Sequence, residues 1–117
     1  MDRTTFRAKT VGAQKQFRKQ QVDIGDGMVV EVRQPSIKAR AAIFKAAKAM
    51  SGDAASLELA ELQVEAVLRC TYVGDELAFE PGDRESLLEQ PAGGWFDTLS
   101  QAALDMLNVD EKELRKN

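Results

Sequence analysis

The apolar and polar positions divide the chain into a short β region followed by helices. Gln21-Val22-Asp23-Ile24 alternates, Gly25-Asp26-Gly27 supplies turn chemistry, and Met28 to Gln34 returns as a β-branched run, so the pattern predicts a hairpin. On the return strand Met28, Val30 and Val32 share one face, and Val29, Glu31 and Arg33 share the other. Two strands alone are marginal in water. This face therefore packs on helices, or the edge from Met28 to Val32 pairs with another copy of the chain.

Pro35-Ser36 opens a helix with Ser36 as its N-cap. Ile37, Ala41, Phe44 and Ala47 form its apolar stripe, broadened by Ile43, Ala46 and Met50, and Ser51-Gly52-Asp53 ends it. Lys38, Arg40, Lys45 and Lys48 fill the remaining face. The next helix is predicted from near Asp53 or Ser56 to about Arg69, with Glu58 and Glu61 complementing the positive end of its dipole. Leu59, Leu62, Ala66 and Val67 make its core stripe, and Leu57, Val64 and Leu68 widen it. A band that broad marks a central helix contacted on two sides. Glu65 and Arg69 are spaced for an i,i+4 ion pair.

Cys70-Thr71-Tyr72-Val73 favours extended backbone, and Gly74-Asp75-Glu76 turns it toward Leu77-Ala78-Phe79, giving either a second hairpin or a loop. Asp83 is placed to cap a short helix carrying Leu87 and Leu88. Pro91 stops that helix, because proline lacks an amide hydrogen and disfavours helical geometry at Gln90. After Gly93-Gly94, the residues Phe96, Leu99, Ala103, Met106 and Leu107 fall on one helical face, and Asn108 can end that helix. Asp110 and Glu113 resemble a capping box for one further turn. The corner has two readings: Trp95 and Phe96 are buried between helices, or with Leu99 they form an aromatic patch that anchors a partner.

These elements predict an α+β fold, mainly α, with an N-terminal β-hairpin packed on a small bundle of about four helices. The 117 residues fit one domain, assigned to residues 21–117, preceded by an arm of residues 1–20. Aromatic residues are only 6%, so the core is built mainly from small aliphatic side chains, which suits closely packed helices. The arm carries Arg3, Arg7, Lys9, Lys15, Arg18 and Lys19 against Asp2 alone, whereas the rest of the chain carries ten bases and eighteen acids. Such an arm is either a solvated, mobile terminus or a segment that docks on an acidic neighbour. Nucleic acid is a poor partner, because the acidic remainder repels phosphate.

Candidate chemistry is sparse. The chain has no histidine and a single cysteine, Cys70, so neither an intramolecular disulfide nor an ordinary zinc or cysteine–histidine site can be assembled. Gly25-Asp26-Gly27 lacks the third glycine and the strand-to-helix setting of a dinucleotide site. No apolar run approaches the roughly 20 residues that cross a bilayer. The expectation is a protein without enzymatic activity, cofactor, metal or membrane partner, working in the cytoplasm in which it is made.

The interrupted corner with Trp95, followed by Leu99-Ser100-Gln101-Ala102-Ala103-Leu104-Asp105-Met106-Leu107-Asn108, resembles the C-terminal half of tail assembly chaperones of long-tailed bacteriophages. Upstream, Met28-Val29-Val30-Glu31-Val32-Arg33, the Pro35-Ser36 helix start and Leu68-Arg69-Cys70-Thr71-Tyr72-Val73 follow that family's order, so the resemblance spans roughly residues 20 to 110. It implies a chaperone that engages the tape measure protein, helps recruit tail tube subunits, acts in the host bacterial cytoplasm and is absent from the mature virion. In many relatives there is also a frameshift-extended second form, for which Lys116-Asn117 is a candidate slip region, and the hairpin edge makes a homo-oligomer a further expectation. The alternative is a structural or connector protein retained in the particle. Three contact surfaces are expected: Trp95, Phe96 and Leu99 at the corner; Met28, Val30 and Val32 on the hairpin; and Arg3, Arg7 and Lys9 on the arm.

Overall fold

The first hairpin is set by its turn. Gly25, Asp26 and Gly27 all have positive φ (108°, 54° and 73°), a run that glycine at both ends makes affordable. Asp23 Oδ1 accepts from the Gly25 amide at 2.8 Å and holds the entry. Strand β1 (Lys19–Asp23) then pairs antiparallel with β2 (Val29–Arg33), Val22 lying opposite Val30. This computed structural model describes residues 1–51 and 58–108.

Helix α2 (Ile37–Met50) starts where Ser36 Oγ accepts from the Ala39 amide at 3.0 Å. Helix α3 (Leu59–Cys70) runs through the centre between α2 and α5 (Trp95–Leu107), with Leu62, Val64, Ala66 and Val67 fully buried. Burying both sides of α3 is what its broad apolar band requires. Phe96, Leu99, Ala103, Met106 and Leu107 all point into the core from α5, and Asn108 ends that helix in the left-handed conformation. Arg40 Nη1 donates to the Leu107 carbonyl at 3.2 Å, so a cation from α2 satisfies the negative end of α5.

Cys70 closes α3, and the chain passes directly into β3 (Thr71–Val73) and β4 (Glu76–Leu77), so the second extended segment is a hairpin. The two hairpins join. Glu31 lies opposite Tyr72 and Val32 opposite Thr71, giving a four-stranded antiparallel sheet in the order β1-β2-β3-β4. One face packs on the helices; the other carries Gln21, Glu31 and Tyr72 outward. The fold is α+β and mainly α, as the sequence predicts.

Several local expectations are corrected. Strand β2 is an inner strand, paired along its length with β1 but with β3 only at Glu31 and Val32, so the expected free edge from Met28 to Val32 is closed at Glu31 and Val32, and the outermost strands are β1 and β4. Ile37 is 78% exposed and Met50 is also exposed, because α2 meets the core chiefly through Ile43 and Ala47. Helix α3 begins at Leu59, whose own side chain is exposed, while the starts proposed at Asp53 and Ser56, and Leu57, lie outside the described residues. Asp83 does not cap the next helix, α4 (Arg84–Leu88). Its Oδ2 instead accepts from the Glu80 amide at 2.8 Å and closes the 3₁₀ turn Pro81–Asp83. Within the basic arm, Arg3–Lys9 forms a helix, α1, and Lys19 and Gln20 belong to the sheet. The capping box at Asp110 and Glu113 and the Lys116-Asn117 end lie outside the described residues.

Candidate functional site

Arg33 organises the outward face of the sheet. Its Nε donates to Glu31 Oε2 at 2.7 Å, its Nη2 to the Gly74 carbonyl at 2.9 Å and to Asp75 Oδ1 at 3.2 Å, and the guanidinium lies 4.1 Å from the centroid of the Tyr72 ring. The hydrogen bond to Glu31, followed by the pairing with Asp75, raises the Arg33 pKa above its ordinary value. Arg33 thus ties the first hairpin to the second. Beside it the surface opens into two shallow grooves of about 370 and 520 Å³ between the end of the arm and the start of α2. Phe17, Pro35 and Ile37 give these grooves an apolar floor, and Lys15, Lys19 and Lys38 surround it. Exposed apolar side chains ringed by one sign of charge are a feature of interaction surfaces and ligand grooves.

The aromatic corner is a brace. Gly93 has a φ of 82°, and its amide donates to the Asp97 carboxylate, which satisfies the backbone at the entrance of α5. Trp95 is half-buried and stacks on Phe79 (centroids 6.2 Å apart, planes at 12°) while meeting Phe96 edge-on at 6.1 Å. Phe96 is 7% exposed and Leu99 fully buried, so the expected aromatic patch reduces at the surface to one side of Trp95. Trp95 thereby fastens the segment after β4 to the helical core.

Beside that brace is a cleft of about 350 Å³, lined by Leu68, Leu77, Phe79 and Pro81 with Glu65, Arg69 and Arg84. Both cations are already engaged. Arg69 Nε meets Glu65 Oε2 at 3.3 Å, and Arg84 bonds the buried Glu61 and also Glu85 Oε1 at 2.7 Å. Hydrogen bonding to Glu61 is the main cause of the raised Arg84 pKa. Exposed Glu76 and Glu80 adjoin its lining residues Leu77, Phe79 and Pro81 in sequence.

The remaining sequence-predicted residues are not brought together. Val32 is fully buried, Val30 is half-buried, and Met28 is exposed just before β2. Arg3, Arg7 and Lys9 lie on α1, none of whose residues is buried. Arg33 with Asp75, and the buried Glu61–Arg84 pair, were not foreseen. Glu31 and Arg33 do share a strand face by alternation, but their partners come from elements that only the sheet and the α3–α4 packing bring near. Cys70 is buried, and desolvation pushes its thiol up to about 11, which suppresses the thiolate. Among the described residues no group of His, Cys, Asp or Glu could hold a metal ion, and no helix is long and apolar enough to cross a membrane.

No protein-family model and no curated protein matches the chain. Among solved structures it is similar to the bacteriophage HK97 tail assembly chaperone, with a TM-score of 0.56 and 20% identity over 92% of this chain and 98% of that one. The two chains share a fold. The structural neighbour is thus of the kind that the corner and the element order resemble in sequence, and the likeness extends over nearly the whole of both chains.

Proposed function

We propose that this protein is a non-catalytic phage tail assembly chaperone that binds the tape measure protein and helps recruit tail tube subunits during tail morphogenesis in the host cytoplasm. The observation that carries the reading is the fold held in common with a tail assembly chaperone over 92% of the chain. The surface chemistry supports it. Phe17, Pro35 and Ile37 cover a partner's apolar surface, while Lys15, Lys19 and Lys38 and the acidic remainder keep the complex in solution. Of the residues singled out in sequence, Trp95, Met28, Val30, Arg3, Arg7 and Lys9 retain surface for such contacts, whereas Phe96, Leu99 and Val32 serve the core. Self-association, and a second form extended by frameshifting, belong to the same reading.

Co-expression with the tape measure and tail tube proteins tests it. Wild-type protein captures the tape measure protein, and Phe17→Asp with Ile37→Asp loses that capture without loss of folding, since both side chains are already exposed. Failure of the wild type to capture either protein overturns the reading. Finding the chain in purified virions by mass spectrometry favours the connector alternative instead.

A further inference from the structure

Helix α1 has seven residues and buries none of them; Phe6 is 55% exposed. Its support is local: the Thr5 amide donates to Asp2 Oδ1 at 2.7 Å and Thr10 Oγ1 donates to the Phe6 carbonyl at 2.8 Å, in a helix well below the roughly 12 residues at which isolated helices become even marginal in water. Arg3, Phe6 and Lys9 recur at i, i+3 and i+6, so one face presents an aromatic ring between two cations. This element is built to be covered.

Charge indicates what covers it. Residues 1–51 contain eleven basic and four acidic side chains, and residues 58–108 contain two basic and eleven acidic ones. Both bases of the second segment, Arg69 and Arg84, are already paired with glutamates. The division follows the sheet, with β1 and β2 from the basic half and β3 and β4 from the acidic half. In the acidic half lies the cleft of Leu68, Leu77, Phe79 and Pro81 with Glu65, Arg69 and Arg84, where Leu77 is half-exposed and the exposed Glu76 and Glu80 adjoin Leu77, Phe79 and Pro81 in sequence. The arm leaves from β1, at the sheet edge opposite β4.

We propose that α1 of one copy docks in the α3–β4 cleft of a second copy. Phe6 fills the apolar floor, and Arg3 and Lys9 face Glu76 and Glu80. Donor and acceptor are different surfaces, so the contact is heterologous and each copy can carry one neighbour on each side. This sharpens the self-association in the proposed function, yet it does not involve the Phe17–Ile37 grooves, so the two readings fail separately.

Sedimentation velocity of the full chain over a range of concentrations tests it, with two variants. Phe6→Asp disables the arm and spares the core, because Phe6 is 55% exposed and lies outside the buried core cluster of the described residues. Glu76→Lys with Glu80→Lys disables the cleft, and circular dichroism verifies that each variant folds. Wild type is expected to grow beyond a dimer as concentration rises, and to dissociate as salt is raised from about 0.1 to 1 M and the screening length falls from about 10 to 3 Å. Each variant alone sediments as a monomer, whereas an equimolar mixture, which retains one intact arm and one intact cleft, stops at a 1:1 dimer. A wild type monomeric at every concentration, an arm variant that still assembles, or a mixture that stays monomeric overturns the proposal.

Discussion

Helices α1 and α5 start alike in local terms and are held in different ways. Each has a carboxylate serving backbone amides near its start, Asp2 for α1 and Asp97 for α5. Helix α5 buries seven of its thirteen residues, and α1 buries none. Capping contributes about 1 kcal/mol, whereas each fully buried large aliphatic side chain contributes about 1.5–3 kcal/mol. The comparison teaches that capping decides where a helix starts and burial decides whether it persists. An element with the first and not the second is free to find its burial elsewhere.

The contrast is broken most severely through charge. Arg84 is the partner of the buried Glu61, so Arg84→Ala leaves a carboxylate stranded between α3 and α4 and is expected to cost about 3–5 kcal/mol. Arg3→Ala and Arg7→Ala, on α1, should leave stability unchanged. Urea unfolding monitored by circular dichroism at neutral pH measures all three. A cost for the arm variants equal to that of Arg84→Ala would mean that α1 is part of the folded core.

The apolar version separates the regions by a similar margin. Leu99→Ala removes a fully buried side chain from α5 and should cost about 2–5 kcal/mol, while Phe6→Ala should be neutral in the monomer. Equal shifts in melting temperature would contradict the burial pattern.

The same division explains what the sequence could and could not disclose. The Ser36 cap, the Gly25-Asp26-Gly27 turn, the α5 stripe and the Asn108 stop are decided within a few residues, and all were legible. The junction of the two hairpins was not. Pairing Glu31 with Tyr72 and Val32 with Thr71 crosses an entire helical hairpin, and nothing in either strand's alternation specifies its neighbour. Helix α1 is not legible in the sequence because Arg3–Lys9 contains a single large apolar residue and so has no stripe. The face of α2 was misjudged at Ile37 for a related reason. An alanine-rich helix has several nearly equivalent apolar faces, and only packing on α3 selects the one bearing Ile43 and Ala47. Of the candidate contact residues, the exposed positions on the arm were legible from charge. Phe96 and Leu99 were claimed at once by the core stripe and by the surface, and the core holds them.

A smaller, pH-dependent effect arises at Cys70, the last residue of the central helix. The unfolded thiol loses its proton near 9.0, and the folded one, raised by burial, near about 11. Between those values the unfolded chain binds fewer protons, so stability is intact below pH 9 and declines as pH rises through that window, by at most about 1.4 kcal/mol per unit. Cys70→Ala should flatten the decline while lowering stability at neutral pH. An unchanged slope would mean that other groups account for it.

The smallest expected effect has the opposite sign and lies where the helical core meets the sheet. Thr71 begins β3, is fully buried, and its Oγ1 has no hydrogen-bond partner among the described residues. A buried hydroxyl without a partner gives up its hydration and regains nothing, whereas a valine of nearly the same shape has no such group to desolvate. Valine also favours the extended backbone that β3 adopts. Thr71→Val should therefore raise stability by about 1 kcal/mol in urea unfolding. Destabilisation instead would reveal that the hydroxyl is satisfied in solution. The inner strands would then be tied to the core by a polar contact as well as by apolar packing, and the gap between the well-held half of the molecule and the loosely held arm would be wider still.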